Sequence, residues 1–201
     1  MATIERFDVD GNELWWLSEG PGAHLEEPQD GQVVETSLKG RFRFAEATET
    51  EDGLRRPQLG ALHAILAYRS TEEREPITVV MPTGTGKTET MLAAYCHSPS
   101  LTLVIVPSDA LRTQIAEKFV TFGVLPGVHA VVGDFLCPVV LVLKSGLQTV
   151  DHVHKVLSRA NVVVATAQAL NAFSEEARSY LAHSCQRLFV GLPRVQLTPD
   201  L

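Results

Sequence analysis

The sequence predicts an α/β protein built on a parallel, doubly wound sheet. Apolar strand-like segments alternate with helical segments from residue 54 onward. The strand-like segments contain almost no polar alternation, as expected where helices cover both faces of a sheet. With 45% hydrophobic and 20% charged residues, the 201-residue chain also has the composition of an ordinary globular protein. Ligands bind at the carboxyl ends of the strands in such sheets, so we expect the functional residues directly after the strands.

Residues 1–53 are expected to form an acidic, β-rich accessory segment and linker. Strand-like stretches at 13–17 and 33–45 are separated by turns that contain glycine and proline. This segment holds 13 acidic and 4 basic side chains, whereas residues 54–201 hold 11 and 13. The net charge of −7 therefore lies outside the predicted α/β domain, which stays able to approach phosphate groups.

Residues 54–190 are expected to form the α/β domain, and residues 191–201 an irregular tail. The predicted elements of the domain, in chain order, are a helix at 57–68, a strand at 77–81, a helix at 87–96, a strand at 101–106, a helix at 109–120, a strand at 139–143, a helix at 149–159, a strand at 161–165, a helix at 168–181 and a strand at 187–190.

A glycine-rich segment, Met81-Pro82-Thr83-Gly84-Thr85-Gly86-Lys87-Thr88, follows the first of these strands and leads into a helix. Its glycines let successive backbone N–H groups face one anion, and Lys87 can reach the outer phosphates of a nucleotide. The Thr88 hydroxyl can ligate Mg²⁺. Met81 stands where the strict phosphate-loop pattern has its first glycine. The alternative is a glycine-rich turn with an exposed lysine and no ligand.

Residues 82–88 resemble motif I of superfamily 2 helicases of the DEAD/DEAH-box type. Upstream, Leu54-Arg55-Arg56-Pro57-Gln58 is similar to the L-R-x-x-Q element of the restriction-enzyme and excision-repair branch. The resemblance implies that the amide of Gln58, which both donates and accepts, reads the edge of adenine. A glutamine that starts a helix in water is the alternative. The resemblance further implies Lys87 and Thr88 as catalytic residues, Thr88 as the Mg²⁺ ligand, and an ATP site formed by Gln58, Thr83, Gly84, Thr85, Gly86, Lys87, Thr88 and Glu89.

Two further segments resemble motifs that lie along the nucleic-acid backbone in that family. Residues 106–114 are similar to motif Ia, and residues 165–170 to the T-x-Q-x-L form of the next motif. The resemblance implies contacts with nucleic acid by Ser108, Arg112, Thr166 and Gln168. Helix capping by the two hydroxyl residues is the alternative.

Motif II of the family, Asp-Glu-x-His, is missing. This motif directly follows a strand and supplies the carboxylate for Mg²⁺ and the group that orients the attacking water. Here the strand at 187–190 is followed by Gly191-Leu192-Pro193-Arg194. The second RecA-like lobe, which supplies arginines to the ATP cleft, is missing as well. We therefore expect a truncated first lobe that binds ATP and is inactive alone, with a second lobe or partner subunit supplied in trans.

The predicted function is that of the N-terminal ATP-binding lobe of a DNA helicase or translocase, with ATP and Mg²⁺ as cofactors and DNA as partner. The family reaction is nucleic-acid-dependent ATP hydrolysis. The alternative is a non-hydrolysing nucleotide-binding or interaction protein derived from a helicase. A P-loop kinase or metabolic ATPase is disfavoured by the set Gln58, Ser108 and Thr166.

The remaining sequence features exclude other classes. No signal peptide or membrane-spanning apolar run is found, so a cytoplasmic protein with no membrane partner is expected. Three widely spaced cysteines match neither a disulfide framework nor a paired zinc motif. The pair His152 and His154 lies two residues apart in a predicted helix, which points the rings to different faces.

Overall fold

The computed structural model describes residues 3–18, 31–71 and 75–191. Within these ranges the chain forms a mixed sheet of six strands with seven helices. The elements, in chain order, are β1 (Ile4–Val9), β2 (Asn12–Leu17), α1 (Gly31–Leu38), α2 (Arg56–Arg69), α3 (Lys87–His97), β3 (Thr102–Val106), α4 (Asp109–Thr121), β4 (Val140–Leu143), α5 (Val150–Leu157), β5 (Val162–Thr166), α6 (Ala167–Asn171), α7 (Glu175–Ser184) and β6 (Arg187–Val190).

The strand order in the sheet is β1-β2-β4-β5-β3-β6. The last four strands of this order run parallel to one another. β2 pairs with β4 in the antiparallel direction and forms a hairpin with β1. The hairpin turn is Asp10-Gly11, where φ is 53° and 80°, as a two-residue hairpin turn requires. The sheet is therefore mixed, whereas the sequence predicts a parallel one.

Two apolar clusters lie on opposite faces of the sheet. Side chains alternate between the faces along each strand, so Val162 and Val164 of β5 contribute to one cluster, and Val163 and Ala165 to the other. Buried residues of α3 and α4 complete the first cluster, and those of α5 and α7 complete the second. All five residues of β5 are buried. Burial on both faces explains why this strand has no polar alternation.

The structure corrects two predicted elements and adds a third. The strand-like stretch at 33–45 begins as helix α1, because Val34 and Leu38, four residues apart, are both buried on one helical face. The helix predicted at 168–181 is two helices, because the Ser174 hydroxyl accepts the N–H of Ala177 and caps a new one, α7. Strand β1 has no counterpart among the predicted elements.

The strand predicted at 77–81 is not part of the sheet. Ile77, Val79 and Val80 are exposed, and Met81 is buried. β6 is consequently an edge strand in the described part of the chain, with Leu188 and Val190 exposed. A strand needs backbone partners as well as apolar side chains, and the apolar pattern of the sequence reports on the side chains alone.

Two fully buried asparagines connect the β1–β2 hairpin and α1 to the parallel strands. Asn12 Oδ1 accepts the backbone N–H groups of Lys144 (2.8 Å) and Ser145 (3.1 Å). Asn161 Nδ2 donates to the Gly31 carbonyl over 2.8 Å. These bonds satisfy backbone groups that the sheet leaves unpaired. The hairpin and α1 thus pack onto the α/β sheet.

The described residues bear on two further predictions, which concern the irregular tail and membrane-spanning segments. Of the tail predicted at 191–201, only Gly191 lies within the described residues. No helix in the ranges that the structure describes is both long and apolar enough to cross a membrane.

Candidate functional site

The glycine-rich loop folds onto itself before it enters α3. Gly84 and Gly86 have φ values of 80° and 90°, in a region that side chains with a Cβ rarely adopt. The Thr85 hydroxyl donates to the Pro82 carbonyl over 2.6 Å, and Lys87 Nζ donates to the same oxygen over 3.1 Å. Lys87 is nevertheless exposed, so its ammonium group is accessible to a ligand. Thr83, another predicted nucleotide contact, is exposed as well.

The start of α3 offers several donors to an anion. Gly86 occupies the cap position and provides no side-chain acceptor for the first N–H groups of the helix. The Thr88 hydroxyl makes no hydrogen bond within residues 3–18, 31–71 and 75–191. Phosphate oxygens match free N–H groups and a lysine at a helix start. A hydroxyl oxygen beside them is a ligand type that Mg²⁺ accepts, so the residues present fit a Mg²⁺-bound triphosphate.

Gln58 is buried against the glycine-rich loop. Its Nε2 lies 3.5 Å from the Gly86 carbonyl oxygen, and its Oε1 accepts the backbone N–H of Arg55 over 2.8 Å. A Cβ at position 86 would lie 2.0 Å from Gln58 Nε2, so this approach requires glycine there. The amide predicted to read adenine is thus engaged by protein groups. Its contact with Gly86 is at the long limit of a hydrogen bond and is easily exchanged for another acceptor.

Arg55 also contacts the loop, a role that the sequence did not reveal. Its Nη1 donates to the Gly84 carbonyl over 3.1 Å. Arg55 is the N-cap residue of α2, and Gln58 is the third residue of that helix. The N-cap residue and the third residue of a helix commonly contact each other, so the spacing of Arg55 and Gln58 is a sequence signal that places Arg55 beside Gln58. The start of α2 therefore holds the loop at the carbonyls of Gly84 and Gly86.

Glu89, predicted as a nucleotide contact, forms an ion pair with Lys118 of α4. Burial raises the pKa of the Glu89 carboxyl. The hydrogen bond from Lys118, a backbone hydrogen bond and the charges of Lys118 and Arg55 outweigh burial, so the pKa lies below its usual 4.5. The carboxylate side chain is 14% exposed. In this structure Glu89 links the start of α3 to α4, and nothing in the sequence marked Lys118 as its partner.

Ser108 and Thr166 lie at the carboxyl ends of the neighbouring strands β3 and β5, where Val106 and Thr166 are register partners. The Ser108 hydroxyl caps α4 by accepting the Leu111 N–H over 3.4 Å. The Thr166 hydroxyl caps α6 by accepting the Ala169 N–H over 3.2 Å. Each hydroxyl keeps its own hydrogen for donation, so capping and a phosphate contact are compatible.

Arg112 is buried, as Thr166 is. Its Nη1 donates to the Leu143 carbonyl over 3.0 Å and pairs with Asp109 over 3.1 Å. This placement favours a packing role between α4 and the end of β4 over the predicted contact with a phosphate. Gln168, on α6, is exposed and available to a ligand.

The predicted site residues fall into two groups. The first consists of Gln58 and the loop at 82–89, and the second lies at the ends of β3 and β5. No hydrogen bond or ion pair between residues that the structure describes joins the two groups. Among those same residues, no three His, Cys, Asp or Glu side chains come together as metal ligands. Directly after β6, the Gly191 N–H donates to the Ile105 carbonyl over 2.8 Å.

Comparison with known proteins gives one match. Residues 51–190 match the family described as type III restriction enzyme, res subunit. The match covers α2 through β6 and therefore both groups of predicted site residues. No curated protein and no solved structure matches the chain.

We expect Lys118→Met to lower the free energy of unfolding at pH 7 by about 1–3 kcal/mol, because it leaves a mostly buried carboxylate without its partner. The pKa of Glu89 is lower in the folded state than in the unfolded state. The contribution of the pair is therefore fully present above pH 4.5 and is lost as the pH falls through the folded-state pKa. Urea unfolding at pH 7 and at several pH values below 4.5 measures the difference.

Lys39→Met, at an exposed position, is the matched control and should change stability little at any pH. A Lys118→Met effect that stays the same across this pH range would show that the ion pair contributes no stability.

Proposed function

The chain belongs to the family of type III restriction enzyme res subunits, and on this premise we propose that it is the ATP-binding lobe of an enzyme that uses ATP to act on DNA. The family is helicase-like and ATP-dependent, and it acts on nucleic acids. The observation that carries the proposal is the glycine-rich loop at 82–88, whose donors lie at the start of α3 inside the matched region.

The first step is the binding of the triphosphate. Backbone N–H groups at the start of α3 and the ammonium group of Lys87 bind the phosphate oxygens. Lys87 exchanges its bond with the Pro82 carbonyl for a phosphate, and this exchange costs little because the lysine is already exposed. Thr88 supplies a hydroxyl for Mg²⁺, which when bound offsets part of the negative charge on the phosphates.

The base is selected by Gln58 in this proposal. Its amide gives up the 3.5 Å contact with Gly86 and turns to adenine, which presents both a donor and an acceptor. Arg55 stays on the Gly84 carbonyl and keeps the loop next to α2. The position of Gln58 supports this assignment, because its amide lies beside Gly86, the residue that precedes α3.

DNA is the proposed nucleic acid, as in the restriction-enzyme and excision-repair branch of superfamily 2. Ser108 and Thr166 donate their remaining hydroxyl hydrogens to phosphates of the backbone, and Gln168 adds an exposed amide. Arg112 positions the start of α4 from its buried site. The adjacency of β3 and β5 supports this assignment, because it places both capping hydroxyls at one edge of the sheet.

The 201-residue chain alone is proposed to turn ATP over slowly. Fast phosphoryl transfer needs a carboxylate near the metal, a group that orients water, and cations on the developing charge. The residues after β6 are Gly191-Leu192-Pro193-Arg194, with no carboxylate. A second lobe or a partner subunit supplies the missing groups.

The first test is ATP binding. We expect Lys87→Ala to weaken binding of a fluorescent ATP analogue with Mg²⁺ at least tenfold, because a charge-assisted contact contributes ~1.5–3 kcal/mol. Lys39→Ala removes an equal charge far from the loop in sequence and should bind like the wild type. Equal affinities of a folded Lys87→Ala protein and the wild type would refute the phosphate site.

The second test concerns the base. We expect Gln58→Ala to lower the preference for ATP over GTP, measured by competition titration, more than it weakens triphosphate binding in general. Gln186→Ala, at an exposed glutamine, is the control. If affinity for both nucleotides falls by the same factor, Gln58 only positions the loop, and the adenine assignment is wrong.

The third test is phosphate release with and without single- and double-stranded DNA. We expect turnover near background, because an arginine finger alone contributes ~10³–10⁵ in rate and no carboxylate directly follows β6. Strong DNA-stimulated turnover that Lys87→Ala abolishes would show that another group replaces motif II. ATP binding without any DNA binding would instead support the non-hydrolysing alternative.

A further inference from the structure

Strand β1 forms one edge of the sheet, and its outer backbone groups have no strand partner in the part of the chain that the structure describes. The Thr3 carbonyl accepts the Ser18 N–H, which extends the register of the β1–β2 pair. Backbone direction alternates along a strand, so odd-numbered residues of β1 bond to β2. Ile4, Arg6 and Asp8 therefore direct their N–H and C=O groups outward.

The side chains of β1 divide between the two faces of the sheet. Arg6 lies over the Trp15 ring, with its guanidinium carbon 4.2 Å from the ring centroid, and Asp8 shares this face. Phe7 lies on the opposite face, 6.1 Å from Trp16 between ring centroids. Phe7 is 55% exposed, although an aromatic ring gains most from burial. The edge thus combines a partly exposed ring with alternating charges.

We propose that β1 pairs antiparallel with β1 of a second copy of this chain, around a two-fold axis that passes through Phe7. Such an axis, perpendicular to the sheet, keeps every residue on its own face. Residues that face each other across it must then both be odd or both be even in number, so the axis passes through a residue. Registers that pair at least three residues of β1 are centred on Glu5, Arg6, Phe7 or Asp8. The resulting dimer has one continuous sheet with an isologous interface.

Charge selects the central register. Centring on Arg6 would place two arginines opposite each other, and centring on Glu5 or Asp8 would do the same with two carboxylates, which is destabilising. Centring on Phe7 places Arg6 opposite Asp8 of the second copy, and this ion pair occurs twice by symmetry. Both residues direct backbone groups outward, so the same pairs exchange backbone hydrogen bonds. Two Phe7 rings meet at the axis and cover each other.

A surface cleft beside β1 supports the same register. It has a volume of about 420 Å³ and lies between β1 and α5, and its lining includes the cations Lys155 and Arg159 together with Phe7, Asp8, Val9 and Asp10. Lys155 has one distant partner, Asp10 at 3.9 Å, and Arg159 has no ion pair with any described residue. The register centred on Phe7 places Glu5 of the second copy opposite Val9, on the face of this cleft. Its carboxylate therefore meets two cations.

The charges on β1 also explain why its partner strand is β1 of a second copy. Charged side chains on an edge strand oppose pairing with an arbitrary strand. The sequence of β1, Ile4-Glu5-Arg6-Phe7-Asp8-Val9, is complementary to itself when antiparallel, so an identical strand is accepted.

Charge reversal with complementation tests the proposal. In sedimentation velocity over a concentration series, the wild-type chain should show a monomer–dimer equilibrium. Arg6→Asp and Asp8→Arg should each be monomeric at concentrations where the wild type dimerises, because each places like charges opposite. An equimolar mixture of the two variants should dimerise again, which also shows that both are folded. Arg178→Asp, at an exposed position of α7, makes the same charge change away from β1 and should dimerise like the wild type.

A cross-link tests the register. Residues at position 7 form a pair without backbone hydrogen bonds at the axis, with Cα atoms about 4.5 Å apart, within the range that a disulfide spans. Phe7→Cys should therefore give a covalent dimer on mild oxidation, and Val9→Cys should not. A strictly monomeric wild type, or dimers that persist in both charge-reversed variants, would overturn the proposal. A covalent dimer of Val9→Cys with none of Phe7→Cys would overturn the register.

Discussion

The parallel pairing of β3 with β5 determines where most other parts of the molecule lie. Five consecutive register pairs, from Thr102 with Val162 to Val106 with Thr166, bring the carboxyl ends of the two strands to the same level. Both strands are covered on two faces, so the polar groups that the chain needs for capping and binding are confined to the ends. α4 and α6 begin there, each capped by a hydroxyl. The pairing thus brings polar residues from two distant segments of the sequence together at the carboxyl ends of β3 and β5.

The glycine-rich loop is held by protein groups at the positions where a nucleotide is proposed to act. Lys87 bonds to Pro82, Gln58 approaches Gly86, and Arg55 bonds to Gly84. The first two of these contacts are exposed or long, so a ligand that offers better acceptors replaces them at little cost. The Glu89–Lys118 pair, in contrast, is mostly buried and fixes the start of α3 against α4. The loop therefore combines exchangeable contacts with a firmly anchored helix.

Local patterns in the sequence predicted the parts of the fold that local physics decides. Strands such as β5 are apolar throughout, and helices such as α4 begin at a capping hydroxyl, so both were predictable. β1 was missed because three of its six residues are charged and its partner strand decides its structure. The strand predicted at 77–81 is wrong for the opposite reason. Its residues have the apolar pattern of a strand, but they pair with no strand of the sheet. At the site, the loop itself was predictable, whereas contacts between residues almost 30 positions apart, such as Glu89 with Lys118, left no local signal.

The antiparallel contact of β2 with β4 has a consequence for synthesis on the ribosome. The hairpin emerges first, but the strand that receives it begins at Val140. At ~5–20 residues per second, the hairpin waits roughly 6–25 s for its partner. Both tryptophans of the chain, Trp15 and Trp16, lie in this hairpin and are buried in the finished sheet. Indole fluorescence therefore reports the docking of this early hairpin onto the parallel strands.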